Sequence, residues 1–345
     1  MIQSVILLFR RNVPARTRLL AFGSILSMFY FCFMTFTVTA LCWFEILPNM
    51  YRNNYSTLRN HRYMVAFFFI NAIGNCILVL GTNTSINRFK KKVLIPFSIK
   101  EHAKKDKPQS KENGKNSECN EVIKRRRNKE CQKEIKEEER EKSETESASS
   151  EPGSKICLKC NYRRPARSHH CIICDTCILK RDHHCFFMTV CIGYFNQKYF
   201  IMYCFYMLLG TFYGMILIVM YMNALFKLRF YGPQTFVTLL YELLMMMWTG
   251  MYPGGKYVFL LLLMYGSLTA GLLAASLWFW QMQIVVTGQT THEAETGNKK
   301  YSAKSIISNF KEVFGRYWPL TLILPIPLPQ CSNGLYLSEN KNLKK

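Results

Sequence analysis

Four long apolar runs constrain this chain more than any other feature. Leu19 to Leu47 is almost purely apolar, and its one acid, Glu45, sits near the end. Tyr63 to Gly81, Tyr199 to Phe226 and Tyr257 to Val286 follow. A membrane-crossing helix needs about 20 such residues, so each run is long enough to span. Asn71 and Asn75 weaken the second run, and glycines 210, 214, 266 and 271 suit close helix packing in the third and fourth. The expected fold is an all-α multi-pass membrane protein with four transmembrane helices. Phe236 to Tyr252 is apolar but short, carries Glu242 and ends near Pro-Gly-Gly. It reads as an interfacial or re-entrant segment, with a fifth span as the alternative.

The charge is distributed to match. A formal net charge of +23 could point to nucleic acid, but in a chain with four spans it reads as basic residues on cytosolic flanks. "SVILLF" is too short for a signal peptide, and Arg10, Arg11, Arg16 and Arg18 follow it rather than precede it. "RFKKK" and "KRRR" lie between spans two and three, so that segment, the N-terminus and the C-terminus are expected in the cytosol. Residues 100–155 are rich in Lys, Glu and Ser and cannot bury a core, which predicts disorder. No repeat of solenoid length is present.

Half of the 14 cysteines fall in one window from Cys157 to Cys191, together with His169, His170, His183 and His184. The steps Cys157/Cys160, Cys171/Cys174 and Cys174/Cys177 let two thiolates reach one tetrahedral ion. Seven cysteines and four histidines suffice for two zinc ions with residues to spare. Iron–sulfur ligation fits less well, because the histidines are too many. A window this small and polar needs such a staple to fold, and cytosolic thiols stay reduced to provide it. Spacing does not identify the spare cysteine. Asp182-His183-His184-Cys185 sets a carboxylate, two imidazoles and a thiol side by side, which fits a ligand run or an activated nucleophile equally.

These residues resemble the cysteine-rich domain of the DHHC-type protein S-acyltransferases (palmitoyltransferases). The likeness runs from Cys157 to Phe200 and includes "CIGYFNQKYF". "TTHE" at Thr290–Glu293 is similar to the TTxE motif after span four, and "NFKEVFG" from Asn309 to a short C-terminal motif. The resemblance implies one zinc on Cys157, Cys160, His170 and Cys177, and another on Cys171, Cys174, His184 and Cys191. It makes Cys185 the nucleophile, His183 its base and Asp182 the group that orients the base. It sets Phe187, Thr290, Thr291 and Asn309 on the acyl-CoA side of the site, with Thr291 in contact with Asp182, and leaves His169 structural or solvent-facing.

The implied organisation is a cytosolic N-terminus (1–18), spans one and two (19–81), a charged cytosolic insert (82–156) and a zinc domain (157–198). Spans three and four with a lumenal loop (199–286) and a cytosolic C-terminal region (287–345) complete it. The implied activity moves a long acyl chain, palmitoyl above all, from acyl-CoA through Cys185 to cysteines of substrate proteins in a Golgi or endoplasmic reticulum membrane. Arg163, Arg164, Arg167, Lys180 and Arg181 are candidates for the phosphates of CoA. Phe186-Phe187 stands where the family has Pro-Trp. The competing readings are a catalytically impaired membrane scaffold, a membrane-bound zinc interaction module and, more distantly, a transporter.

Overall fold

The computed structural model describes residues 15–89, 156–227, 234–251, 254–299 and 305–331, with residues 232 and 301. The first 14 residues, the charged insert from residue 90 to 155 and the last 14 residues lie outside the described residues.

Helix α1 (Ala15–Leu41) continues through a π-helical turn (Cys42–Ile46) into a final turn (Leu47–Met50). Asn54 caps α2 (Tyr55–Gly81) by accepting from the Thr57 backbone N–H. Helices α3 (Gln197–Phe226) and α5 (Gly255–Thr287) complete the four that, among the described residues, are long and apolar enough to cross a membrane. The two asparagines of α2 bond within their own helix: Asn71 Nδ2 donates to Phe67 O at 3.0 Å, and Asn75 Nδ2 to Asn71 O at 2.9 Å. Each amide thereby has an acceptor where no water is at hand. Small residues bring the helices together. A β-carbon on Gly214 would lie 2.7 Å from Val38, and one on Gly266 would lie 2.6 Å from Met34.

Phe236 to Tyr252 does not supply a fifth span. It forms α4 (Gln234–Thr249), whose 16 residues reach about 24 Å, short of a hydrocarbon core of about 30 Å. Leu239 and Leu243 bury against the bundle, and Tyr257 donates its hydroxyl to Glu242 at 3.0 Å. The acid that spoils the segment as a span is answered by this phenol.

Among the described residues between α2 and α3 are six short strands in three antiparallel hairpins: β1 (Ile156–Cys157) with β2 (Tyr162–Arg163), β3 (His169–Cys171) with β4 (Thr176–Ile178), and β5 (His183–Cys185) with β6 (Val190–Ile192). Beyond α5 come α6 (Thr291–Glu295), α7 (Ile306–Phe314) and α8 (Trp318–Ile323). The chain then returns along the bundle. Lys198 Nζ donates to Leu328 O at 2.6 Å, and Gln330 Nε2 donates to Tyr194 O and Val313 O. The C-terminal region and the hairpin module therefore share one end of the bundle.

Candidate active site and metal centres

The three hairpins are built alike. Cys157, Cys171 and Cys185 follow at intervals of 14 residues and occupy the same position, closing the tip of each hairpin. The turn residue four places on is left-handed every time: Asn161 (φ 53°), Asp175 (φ 49°) and Thr189 (φ 56°). Asn and Asp tolerate that conformation through local hydrogen bonds, whereas β-branched Thr is strained by it. The base of the second hairpin pairs His170 with Cys177, and the base of the third pairs His184 with Cys191.

Tips meet bases. Cys157 and Cys160 on the first tip face His170 and Cys177 on the second base; Cys171 and Cys174 on the second tip face His184 and Cys191 on the third. In each quartet the four ligand atoms lie within 4.8 Å of one another, an arrangement that could hold a metal ion. Bonds of about 2.3 Å to sulfur and 2.0 Å to nitrogen give tetrahedral edges of about 3.8 and 3.5 Å. The observed Sγ–Sγ separations are 3.8 Å for Cys160–Cys177 and 3.6 Å for Cys174–Cys191. His184 Nδ1 lies 3.6, 3.4 and 3.6 Å from Cys171, Cys174 and Cys191, and His170 Nδ1 lies 3.2 Å from Cys160. The donor set and the spacing fit zinc.

Among the described residues, the third tip has no fourth hairpin to meet. It carries Cys185, but Met188 stands where the other tips have their second cysteine. Both pack with Val79, Tyr199, Phe200 and Cys204 against the ends of α2 and α3. The 14-residue interval was readable in the sequence but is shared by all three tips; it is Met188 in place of a second cysteine, and the two quartets themselves, that leave Cys185 outside.

Beside it, His183 Nδ1 bonds Asp182 Oδ2 at 2.7 Å, and the imidazole is close enough to Cys185 to feel its sulfur. The Asp182 side chain is fully enclosed and has four donors. Besides His183 these are Gln281 Nε2 (2.7 Å to Oδ2), the Thr291 N–H (2.7 Å to Oδ1) and Thr291 Oγ1 (2.9 Å to Oδ2). Burial alone would raise the Asp182 pKa, and the bonds from His183, Thr291 and Gln281 hold it below the ordinary value instead. Burial likewise disfavours a charge on His183, but the Asp182 carboxylate and the Cys185 sulfur outweigh it and raise its pKa to about 10. The arrangement can keep a proton taken from the thiol on the imidazole.

Thr290 and Asn309, set by the sequence beside the ligand, have their polar atoms engaged inside the protein. Thr290 caps α6 in a reciprocal pair with Glu293, and Asn309 Nδ2 donates to Val286 O at 3.0 Å, against Gly288. Phe187 packs edge-on to Phe31 of α1 with centroids 5.6 Å apart, and it also packs with Trp278. Phe186 is partly exposed, its ring 5.6 Å from that of His184. His169 packs edge-on against His292.

Two of the five cations expected at the CoA phosphates are committed elsewhere. Arg167 Nε and Nη2 grip Glu293 at 2.7 and 2.6 Å, Nη2 also reaches Gly288 O, and Nη1 lies 3.4 Å from Glu312. Lys180 Nζ meets Glu312 at 2.9 Å. This buried tetrad of two cations and two acids fastens α6 and α7 to the hairpins. The sequence reading missed it, since partners more than a hundred residues apart leave no local pattern. Gln281 was missed for the same reason. Arg164 and Arg181 remain partly exposed.

Residues 150–298 match the family model described as DHHC palmitoyltransferase. The chain is 33% identical over 175 residues to palmitoyltransferase ZDHHC22 of Homo sapiens, covering 51% of this chain and 60% of that relative. The Danio rerio ZDHHC22 is 32% identical over 182 residues, 53% of this chain and 60% of the relative. Palmitoyltransferase ZDHHC16 of Mus musculus is 59% identical over a shorter stretch of 58 residues, 17% of this chain and 16% of its own. The chain thus spans about 60% of the length of the ZDHHC22 relatives it matches.

Proposed function

We propose, from the match of residues 150–298 to the DHHC palmitoyltransferase family model, that this protein is a membrane-embedded protein S-acyltransferase that uses Cys185 as its nucleophile. The observation that carries the reading is the third hairpin tip. Cys185 lies outside both metal-ready quartets, two residues from His183, which is itself held by Asp182. Cys157, Cys160, His170 and Cys177 would hold one zinc ion, and Cys171, Cys174, His184 and Cys191 a second. Bound there, zinc supplies cross-links that fix the hairpin stack and takes no part in the reaction.

In the first half-reaction the Cys185 thiol passes its proton to His183, and the sulfur attacks the carbonyl carbon of an acyl-CoA thioester. A carbon–sulfur bond to Cys185 forms, the bond to the CoA sulfur breaks, and CoA leaves with the proton from His183. In the second, His183 takes the proton of a substrate cysteine, whose sulfur attacks the thioester carbonyl; the bond to the Cys185 sulfur breaks, and that sulfur regains a proton from His183. A thioester is broken and another made at each step, so the exchange needs no external energy source. Asp182 keeps the imidazole oriented throughout.

An apolar pocket between α1, α2 and α3, lined among others by Met34, Val38, Phe68, Ala72 and Met207, is the seat we assign to the acyl chain. Met207 packs in one cluster with Phe31 and Phe187, so this cluster links the pocket to the third tip. We assign the CoA phosphates to Arg164 and Arg181, both partly exposed. The basic flanks of the second and third spans support a cytosolic position for this end of the bundle, and we assign the protein to a Golgi or endoplasmic reticulum membrane.

The deciding experiment incubates purified protein with a labelled palmitoyl-CoA. Wild type is expected to take up hydroxylamine-sensitive label. Cys185→Ser should take up none while keeping wild-type metal content. Normal labelling of Cys185→Ser would overturn the assignment.

A further inference from the structure

Two glutamines lie buried where the membrane helices meet Asp182. Gln197 opens α3 and Gln281 lies in α5, with exposures of 2% and 1%. A buried amide is tolerated only when its polar atoms are met. Gln281 Nε2 donates to Asp182 Oδ2 at 2.7 Å, and Gln281 Oε1 accepts from Gln197 Nε2 at 3.1 Å. The two bonds select one orientation of the amide. Turned over, Gln281 would set its oxygen against the carboxylate and its NH2 against that of Gln197.

Asp182 Oδ2 is also the oxygen that receives His183 Nδ1. Thr291 holds the carboxylate from the C-terminal segment through both oxygens. Gln281 holds it from the membrane helix, through the oxygen that serves the imidazole. A neutral donor suits this place. It satisfies a lone pair without bringing a counter-charge, so the carboxylate's charge stays directed at His183. Resting on the acyltransferase reading above, we propose that Gln281 is a positioning residue for acyl transfer, locked in its donating orientation by Gln197 and acting on Cys185 through Asp182 and His183.

The test uses full-length protein carrying Gln281→Met, Gln281→Glu or Gln197→Met. Methionine keeps the length and apolar body of glutamine and removes its donor. Three quantities are measured: single-turnover acylation of Cys185 across a range of palmitoyl-CoA concentrations, metal content, and the rate at which iodoacetamide alkylates Cys185, read by mass spectrometry of its peptide. Gln281→Met should lower the maximal acylation rate by about tenfold to a hundredfold, the worth of one hydrogen bond to a charged group. Its half-saturating concentration should stay within about twofold, because Gln281 contacts no substrate. Alkylation should slow in parallel and metal content should match wild type. Gln281→Glu should be at least as impaired, since it sets two carboxyl groups together. Gln197→Met should lose less, because Gln281 keeps its donor. A wild-type maximal rate in Gln281→Met, a change confined to half-saturation, or a fall accompanied by metal loss would overturn the proposal. If the wild-type chain takes up no acyl group, the acyltransferase reading fails by itself. The alkylation arm then decides: slowing in Gln281→Met supports the positioning role, and an unchanged rate refutes it.

Discussion

Replacing Arg167 by Met should unfasten the C-terminal segment from the hairpin module, at a cost set by the burial of its partner. The Arg167 and Glu293 side chains are 2% and 4% exposed and joined by two parallel bonds of 2.7 and 2.6 Å. Removing one member leaves the other charge enclosed, which costs about 3–5 kcal/mol. Glu312 suffers less, because Lys180 still meets it at 2.9 Å. Glu293→Met should cost a similar amount, and the double variant little more than either single change, because an apolar pair leaves no unmet charge. The double-mutant cycle should therefore return a coupling of about 3 kcal/mol or more. Chemical unfolding in detergent, followed by accessibility of the metal-ligand cysteines, measures it. Activity should fall as well. Glu293 lies two residues after Thr291, whose N–H and hydroxyl hold Asp182, and a displacement of about 1 Å at such a contact can cost on the order of a hundredfold in the chemical step. If the two single changes add, with coupling under about 0.5 kcal/mol, the bidentate pair does not clamp this segment and the reasoning fails.

His183→Ala should abolish acylation and retain both metal ions. His184→Ala should lose one ion and destabilise the third hairpin. Metal analysis separates the two outcomes, and equal loss in both would refute the ligand assignment. Phe186→Pro with Phe187→Trp should speed autoacylation without altering metal content, because proline fixes φ beside the nucleophile and indole enlarges the contact now made by Phe187 on Phe31. Slower acylation of that variant would mean that the pocket is matched to phenylalanine. Thr189→Asn should stabilise the protein by about 1 kcal/mol in thermal unfolding, since Thr189 is a buried β-branched residue at φ 56° with an unpartnered hydroxyl. Asn161, in the equivalent place of the first hairpin, shows that the turn accepts asparagine. Destabilisation would show that the left-handed turn carries no strain.

What the sequence determined by itself are the features whose cause is local. Each span follows from its own apolar length, since a helix satisfies its backbone within itself, and Glu242 argued correctly against a fifth span in Phe236 to Tyr252. Two of the three Cys-x-x-Cys steps likewise foretold that Cys157 would stand beside Cys160 and Cys171 beside Cys174. The third misled, since Cys174 lies at the tip of their hairpin and Cys177 at its base, and the two serve different quartets. Which His–Cys pair completes each quartet is not contained in the spacing. The family resemblance implied the interleaved sets, and the stacking of tip on base brings those same residues together. Only the tertiary structure decided where Arg167 and Lys180 point. Read along the chain they are cations near a membrane, suited to phosphate; folded, they face Glu293 and Glu312, more than a hundred residues away. The same holds for Gln281, one polar residue near the end of an apolar run until Asp182 is seen beside it. A buried charge or amide takes its meaning from the partner that compensates its lost hydration, and that partner is chosen by how the helices and hairpins pack.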